Sequence, residues 1–225
     1  MPATDIPSPP FETPFAETGL VLRDASWSDY ESMLRIVGDR RVRVTYDAGT
    51  MEVVIPSQRH EQSTQLFGLL VSRLAEELGI PYEPLGMTTW KKRSAAKGLE
   101  SDQCYYIEHE SLVREKAQID LEVDPPPDLA IEVDVASRSL NRLSIYADLG
   151  VPEVWRFDDR SVTFLLLQPN GAYESSATSR SFPALRPSDV ERFLELGRST
   201  DKIRWARALR DWVAEELIPR RERRG

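Results

Sequence analysis

A short apolar run that carries three carboxylates, residues 125–135 (PPPDLAIEVDV), constrains the fold of this chain more than any other feature. Prolines precede a stretch rich in Leu, Ile and Val, and this pattern predicts a buried strand that begins at Pro127. Because side chains alternate along a strand, Asp128, Glu132 and Asp134 are expected on one face, with the apolar residues on the other. Burying unpaired carboxylates is costly, so this face needs cations, hydrogen-bond donors or a metal ion. The alternative is a strand whose acidic face is solvated.

The composition predicts one globular domain in a reducing compartment. The chain has 225 residues, of which 40% are hydrophobic and 29% charged, which is enough for one well-packed core. No apolar stretch approaches the roughly 18 residues that cross a membrane, and the first residues lack the features of a signal peptide. The single cysteine, Cys104, excludes an intrachain disulfide and fits the cytoplasm. With two histidines besides, a structural zinc site is excluded, so any metal is expected to be a hard cation bound by oxygens.

The formal net charge of −8 argues against indiscriminate binding of nucleic acid, which depends on a basic surface. Basic residues nevertheless cluster in one loop, just before a second acidic strand. We expect this loop to contact a nucleic-acid backbone through Lys91, Lys92, Arg93 and Lys97. The arginines at the end of the chain are expected to be solvated.

Periodicity predicts an α/β layered domain with a central mixed sheet flanked by helices. Residues 41–46 and 51–55 alternate about a turn, which predicts a hairpin, and a helix is predicted from the Ser57 N-cap to Gly79. Further strands are predicted over 82–90, 102–107, 128–135, 154–157, 162–168 and 173–177, and helices over 140–149, 187–196 and 200–217.

These elements suggest three segments. We expect a flexible proline-rich arm over residues 1–19, the α/β domain over 20–197, and a C-terminal helix with a basic tail over 198–225.

The acidic strand cannot form a metal site alone. Asp128 and Glu132 are separated by about 13 Å along a strand, which is too far for both to bind one small ion. A ligand from a second strand is therefore required, and Asp102, which opens the strand over 102–107, is the candidate if the two strands are neighbours. Carboxylates on adjacent strands at a sheet end are typical of magnesium-dependent phosphodiester cleavage.

Three runs resemble those of the Uma family of restriction-endonuclease-like proteins, within the PD-(D/E)XK nuclease superfamily. They are GLESDQCYYI (98–107), PPDLAIEVD (126–134) and IYADLGVPEVWR (145–156), and the resemblance covers roughly residues 25–190. It implies a restriction-endonuclease-like core, activity on DNA and a requirement for Mg²⁺ or Mn²⁺.

The resemblance also implies roles for individual residues. Asp102 and Glu132 take the positions of the two acidic motifs, yet Asp134 stands where the superfamily pattern has lysine. The basic residue of this family lies on the following helix, four residues before a tyrosine, and here it is Arg142, ahead of Tyr146. Arginine stays protonated, so it cannot act as a general base, although it can orient water or stabilise the transition state. The alternative for Arg142 is a salt bridge to Asp134 or Asp128.

Two further residues complete the predicted site. His60 projects about 20° from the inward-facing Phe67 on its helix, so it is expected to bind phosphate or metal-bound water, or else to be a core histidine bonded to backbone. Glu52 is implied by the resemblance as an extra metal ligand, and the alternative is a surface strand residue. Asp128 and Asp134 are expected as supporting ligands.

The first hypothesis is therefore a magnesium-dependent DNA endonuclease, with Asp102, Glu132, Arg142 and His60 in its active site. Two DNA strands need two active sites, so a homodimer is expected. The second hypothesis is a catalytically inactive nucleic-acid-binding or regulatory protein on the same fold. A third is a purely structural acidic sheet.

Overall fold

The structure, a computed structural model, describes residues 18–134 and 140–223. Val135 of the predicted acidic strand, Arg224 of the tail and most of the predicted N-terminal arm lie outside these ranges. The first of two sheets consists of Thr18–Leu22 (β1), Arg43–Asp47 (β2), Thr50–Ile55 (β3), Thr89–Lys92 (β5) and Lys97–Glu100 (β6). Its strands are antiparallel in the order β1-β3-β2-β6-β5.

The second sheet is mixed and contains the acidic strand. It consists of Glu83–Pro84 (β4), Gln103–Tyr106 (β7), Leu129–Val133 (β8), Glu153–Phe157 (β9), Val162–Leu167 (β10) and Tyr173–Ser176 (β11). The order is β11-β10-β9-β8-β7-β4, and only β8 and β9 run parallel. Parallel neighbours need a crossover connection, and a helix at Arg142–Leu149 lies between these two strands in the chain.

The helices lie at Trp27–Val37 (α1), Gln58–Leu78 (α2), Glu110–Val113 (α3), Arg142–Leu149 (α4), Pro187–Ser199 (α5) and Lys202–Trp212 (α6). A wider helical turn at Val213–Leu217 continues α6 into α7, Ile218–Glu222. No helix among the described residues is long and apolar enough to cross a membrane.

Helix α2 begins and ends where the sequence predicts. The Ser57 hydroxyl accepts a hydrogen bond from the His60 backbone N–H at 3.2 Å, and Gly79 ends the helix in the left-handed conformation, with φ of 62°. The apolar stripe of α2 packs on one face of β8, in a core that contains Phe67, Leu70, Val71, Leu129, Ile131 and Val133. This packing fixes the first turn of α2 beside the end of the second sheet.

The other face of β8 is covered by α4. Ala130 packs there with Ile145 and Tyr146, so every residue of β8 is buried. The alternation predicted for the acidic strand is therefore confirmed. The alternative of a solvated acidic face is wrong, because α4 shields Glu132 from water.

The structure also differs from the predictions. Two sheets are present instead of one, and the strand predicted over 82–90 is divided between β4 and β5, where Gly86 adopts φ of 57°. Sequence patterns missed β1, α1 and α3, and β1 begins inside the predicted arm. The boundary at residue 198 stays a prediction, although Trp205 and Leu209 of α6 share the core of α2.

Candidate active site

The candidate site lies where the adjacent ends of β7 and β8 meet β2 of the first sheet and the first turn of α2. Gln103 of β7 pairs with Ile131 of β8, so the next residues in register are Asp102 and Glu132. The prediction that the two acidic strands are neighbours is therefore confirmed. Both carboxylates are buried.

Asp102 is held on the α2 side of the sheet. Its Oδ2 atom accepts a hydrogen bond from the Val133 backbone N–H at 2.6 Å and lies 3.1 Å from Nε2 of His60. Its Oδ1 atom forms an ion pair with the guanidinium of Arg43, a buried residue of β2. Asp102 thus joins the second sheet to both the first sheet and α2.

Glu132 is held by α4 on the other side of the sheet. Arg142 donates to both of its oxygens, from Nε to Oε2 at 2.6 Å and from Nη2 to Oε1 at 2.7 Å. The Tyr146 hydroxyl also donates to Oε1. Such bidentate, charge-assisted hydrogen bonds are roughly twice as strong as neutral ones.

Arg142 also binds the first sheet. Its Nη1 atom donates to Thr45 Oγ1 at 2.7 Å, and Nη2 donates to the Glu100 carbonyl at 2.5 Å. Burial lowers the pKa of Arg142, but the hydrogen bond and charge of Glu132 together with the charges of Tyr146 and Asp134 more than offset this, so the arginine pKa is raised. Burial and Glu132 also raise the pKa of Tyr146 well above its usual value, so both groups keep their protons.

The salt bridge considered for Arg142 is present, but with a different partner. It joins Arg142 to Glu132, whereas Asp134 or Asp128 was the expected partner. Asp134 instead accepts from Arg156 Nε at 2.7 Å, at the edge of the site. Asp128 lies at the opposite end of β8 and accepts from the backbone N–H groups of Ile107 and His109 at 2.7 and 2.9 Å. The structure therefore does not bring Asp128 to Glu132.

His60 is fully buried beside Asp102. Besides Asp102, its Nε2 atom lies 3.2 Å from Arg43 Nη1, and its Nδ1 atom lies 3.4 Å from Thr64 Oγ1. The histidine ring therefore contacts the Asp102 side chain, which favours the site interpretation over a core histidine bonded to backbone. Glu61, the next residue, accepts from Arg43 Nη2 at 3.3 Å. Its pKa is lowered, chiefly by a hydrogen bond with His60 and also by the charge of Arg43.

Glu52 is also buried and lies directly opposite Thr45 across β2 and β3. Opposite residues of an antiparallel pair point to the same side, so Glu52 shares the face from which Thr45 contacts Arg142. The alternative of a surface strand residue is therefore wrong.

Sequence reasoning missed three members of the site, Arg43, Glu61 and Glu100. Burial raises the pKa of the Glu100 carboxyl, and the charges of Arg43 and Arg142 only partly offset this effect. The available signal was the GLESD run, in which Glu100 stands two residues before Asp102. We call Glu52, Glu61, Glu100, Asp102 and Glu132, together with Arg43 and Arg142, the carboxylate cluster.

The carboxylate cluster does not fit a metal ion in this arrangement. Both oxygens of Glu132 accept hydrogen bonds from Arg142, and Asp102 is bound by Arg43 and by the Val133 N–H. Within residues 18–134 and 140–223, no three His, Cys, Asp or Glu side chains are placed to hold one ion. Arg142 and Arg43 therefore hold the two carboxylates to which Mg²⁺ was expected to bind.

The raised pKa of Glu100 predicts a pH-dependent effect of Glu100→Gln. Because the folded state disfavours the ionised carboxyl, the contribution of Glu100 to stability is present at low pH and is lost as pH rises above its usual value of 4.5. We expect the substitution to raise the free energy of unfolding at about pH 7 and to give no gain at about pH 4. Urea unfolding at both pH values measures the difference, with the exposed Glu174→Gln as control. An equal gain at both values would contradict this assignment.

The fold and the site together define a class of protein. A mixed sheet with helices on both faces, and with acidic residues where adjacent strands end, is the core of restriction-endonuclease-like proteins. The chain belongs to the Uma2 family, whose description is "Putative restriction endonuclease" and whose model matches residues 27–201. A search of curated proteins finds no match. The matched range contains every residue of the carboxylate cluster, and the resemblance stated from the sequence is confirmed.

Proposed function

We propose that this chain is an endonuclease that hydrolyses phosphodiester bonds of DNA at the carboxylate cluster. The observation that carries the proposal is the register of β7 and β8, which places Asp102 and Glu132 at adjacent strand ends. His60 contacts Asp102 there, and Arg142 contacts Glu132. Membership of a family described as restriction endonucleases supports the same activity.

The charges of the cluster bear on the predicted need for Mg²⁺ or Mn²⁺. Its three buried carboxylates, those of Glu52, Asp102 and Glu132, outnumber its two buried guanidinium groups. An excess of buried negative charge favours an added cation. The hydrogen bonds of Arg142 and Arg43 nevertheless occupy Asp102 and Glu132, so the described arrangement gives no metal position. The metal requirement is therefore the part of the proposal that a cleavage assay decides.

Few side chains of the site can accept or donate a proton near neutral pH. Arg142 and Tyr146 stay protonated and act as fixed donors to Glu132. His60 is the member of the site whose ordinary pKa lies near neutrality, and its Nε2 atom faces Asp102. We assign to His60 the role of holding or moving a proton beside Asp102, and to Arg142 the role of stabilising negative charge.

Nicking of supercoiled plasmid by the purified chain tests the proposal, with Mg²⁺, Mn²⁺ or EDTA present. We expect the wild type to nick the plasmid, and the comparison with EDTA decides whether a divalent ion is required. We expect a loss of about 100-fold for Asp102→Asn and Glu132→Gln, the size of losing one electrostatic contact to the transition state. Asp128→Asn is the matched control, because Asp128 is a buried, hydrogen-bonded carboxylate at the far end of the same strand. If Asp128→Asn loses as much activity, the losses arise from impaired folding and not from the active site. If the wild type never nicks the plasmid, the nuclease assignment is wrong.

A catalytically inactive nucleic-acid-binding or regulatory protein is the second candidate. The observation that favours it is the bidentate Arg142–Glu132 pair, which occupies a carboxylate that a nuclease needs. This candidate predicts binding of DNA without cleavage in either metal, so the same preparation distinguishes the two functions.

A further inference from the structure

An open groove of about 1330 Å³ runs along α2, on the side facing the junction of α5 and α6. One wall is the outer face of α2, and the opposite wall includes Gly197, Arg198 and Lys202. Arg41, which lies two residues before Arg43, also lines the groove. We call this feature the α2 groove.

The α2 groove is positively charged in a chain with a net charge of −8. Its lining contains four cationic side chains and one carboxylate, that of Glu61. A second carboxylate, that of Asp159, is shared by Arg59 and Arg198, which donate to its Oδ1 atom at 3.1 and 3.2 Å. Two arginines on one carboxylate leave an excess of positive charge, and both arginines are exposed.

The groove also presents neutral hydrogen-bonding groups. Gln58, Gln62 and Gln65 line it and are exposed, at spacings of four and three residues that place them on one side of α2. Side chains of Gln and Arg together are typical of surfaces that bind phosphate and sugar oxygens without reading bases. The mixture therefore favours the backbone of a nucleic acid over a small anion.

The groove is connected to the proposed cleavage site through the first turn of α2. Glu61 lines the groove and accepts a hydrogen bond from Arg43, and Arg43 is paired with Asp102. A DNA strand bound in the groove would therefore contact Glu61, the residue that follows His60. Arg41 also contributes to the lowered pKa of Glu61, so its charge acts at this junction.

The basic loop predicted to bind nucleic acid carries less available charge. Lys97 is only slightly exposed, forms an ion pair with Asp47 and lies 3.2 Å from Asp148. Lys91 lies 3.8 Å from Glu31, and Glu122 accepts from Ser94 at the tip of the loop. Nearby carboxylates thus balance much of the charge of this loop.

We propose that the α2 groove binds the sugar-phosphate backbone of DNA beside the cleavage site. The inference deepens the proposed function, on which it rests, by naming the surface along which the substrate lies. The cations of the groove neutralise phosphates, and the glutamines of α2 fix the position of the strand.

The test compares two double substitutions that change the net charge equally. Arg41→Gln/Arg59→Gln alters the groove, where Asp159 keeps its contact with Arg198, and Lys91→Gln/Lys92→Gln alters the basic loop. Fluorescence anisotropy measures binding of a labelled DNA duplex in EDTA, over a range of salt concentrations. We expect the groove variant to bind about tenfold more weakly and to reduce the salt slope by about two, because each lost phosphate contact removes about one unit. We expect the loop variant to bind within about threefold of the wild type.

The outcomes separate this inference from the proposed function. If the groove variant binds like the wild type, or if the loop variant loses as much affinity, the groove assignment is overturned, even where plasmid nicking shows the chain to be a nuclease. If only the groove variant loses affinity for DNA and the wild type never nicks the plasmid, the groove assignment holds and the proposed nuclease activity is wrong. Labelled RNA of the same sequence identifies the preferred backbone, and a preference for RNA would overturn the DNA assignment. Thermal unfolding of both variants controls for folding.

Discussion

Replacing Glu132 by alanine is expected to lower the free energy of unfolding by about 3–5 kcal/mol, because it leaves the buried guanidinium of Arg142 without a counter-charge. Arg142 is only 5% exposed, so water cannot replace the two hydrogen bonds that Glu132 accepts from it. The Tyr146 hydroxyl loses its acceptor at the same time. Urea unfolding of the purified variant measures the effect, and a loss below about 1 kcal/mol would show that the pair is dispensable to the fold.

The double variant Glu132→Leu/Arg142→Met separates charge from packing. Removing both partners of a buried ion pair is often nearly neutral, whereas removing one is costly. We therefore expect the double variant to recover most of the stability lost in Glu132→Ala. If it is as unstable as the single variant, the loss comes from packing around β8, not from the unpaired charge.

Gly98→Ala is expected to destabilise the chain by about 3 kcal/mol, because no room exists for a side chain at this position of β6. A Cβ atom there would lie 2.6 and 2.7 Å from the Cζ and Cε1 atoms of Tyr30, and closer still to its hydroxyl. The Tyr30 ring is fully buried and stacks on Tyr46, with ring centroids 5.2 Å apart. Strand β6 cannot move away, because Gly98 pairs with residues of β2 on one side and β5 on the other.

Gly19→Ala is the matched control, since a Cβ atom at position 19 meets its nearest neighbour at an ordinary distance of 3.4 Å. We expect this control to change the free energy of unfolding by less than about 0.5 kcal/mol. Thermal and urea unfolding of both variants measure the contrast. If the two variants are equally stable, the Tyr30 ring can move aside at little cost, and the predicted clash at position 98 is wrong.

The sequence was most informative where the determinants are local. Helix α2 could be delimited from Ser57 and Gly79, because a capping hydroxyl and a left-handed glycine act within one turn of the backbone. The alternation of β8 followed from the pleat of a strand, and it placed Glu132 on the face opposite Ile131.

The remainder of the site depends on contacts between distant elements. Arg43 stands in a strand that alternates polar and apolar residues, which indicates a solvated arginine, and it is buried only because the end of β7 and α2 pack against it. Asp128 shares a face with Glu132, but its carboxylate accepts hydrogen bonds from backbone N–H groups of the loop that follows β7. The spacing of residues along the sequence predicts neither the burial of Arg43 nor the partners of Asp128. The separate antiparallel sheet of β1, β3, β2, β6 and β5 was missed for the same reason, since strand pairing between distant segments leaves no periodic signal.

The four hydrogen bonds of Arg142 have a consequence for how the two sheets move. The guanidinium binds Glu132 of one sheet and both Thr45 and the Glu100 carbonyl of the other, so it links the two sheets directly. A ligand that draws Glu132 away from the arginine must loosen this joint, and a change in the angle between the sheets must disturb Glu132. Lysine, with one compact ammonium group, cannot reproduce the planar fork that binds all three partners. We therefore expect occupancy of the carboxylate cluster and the relative position of the two sheets to change together.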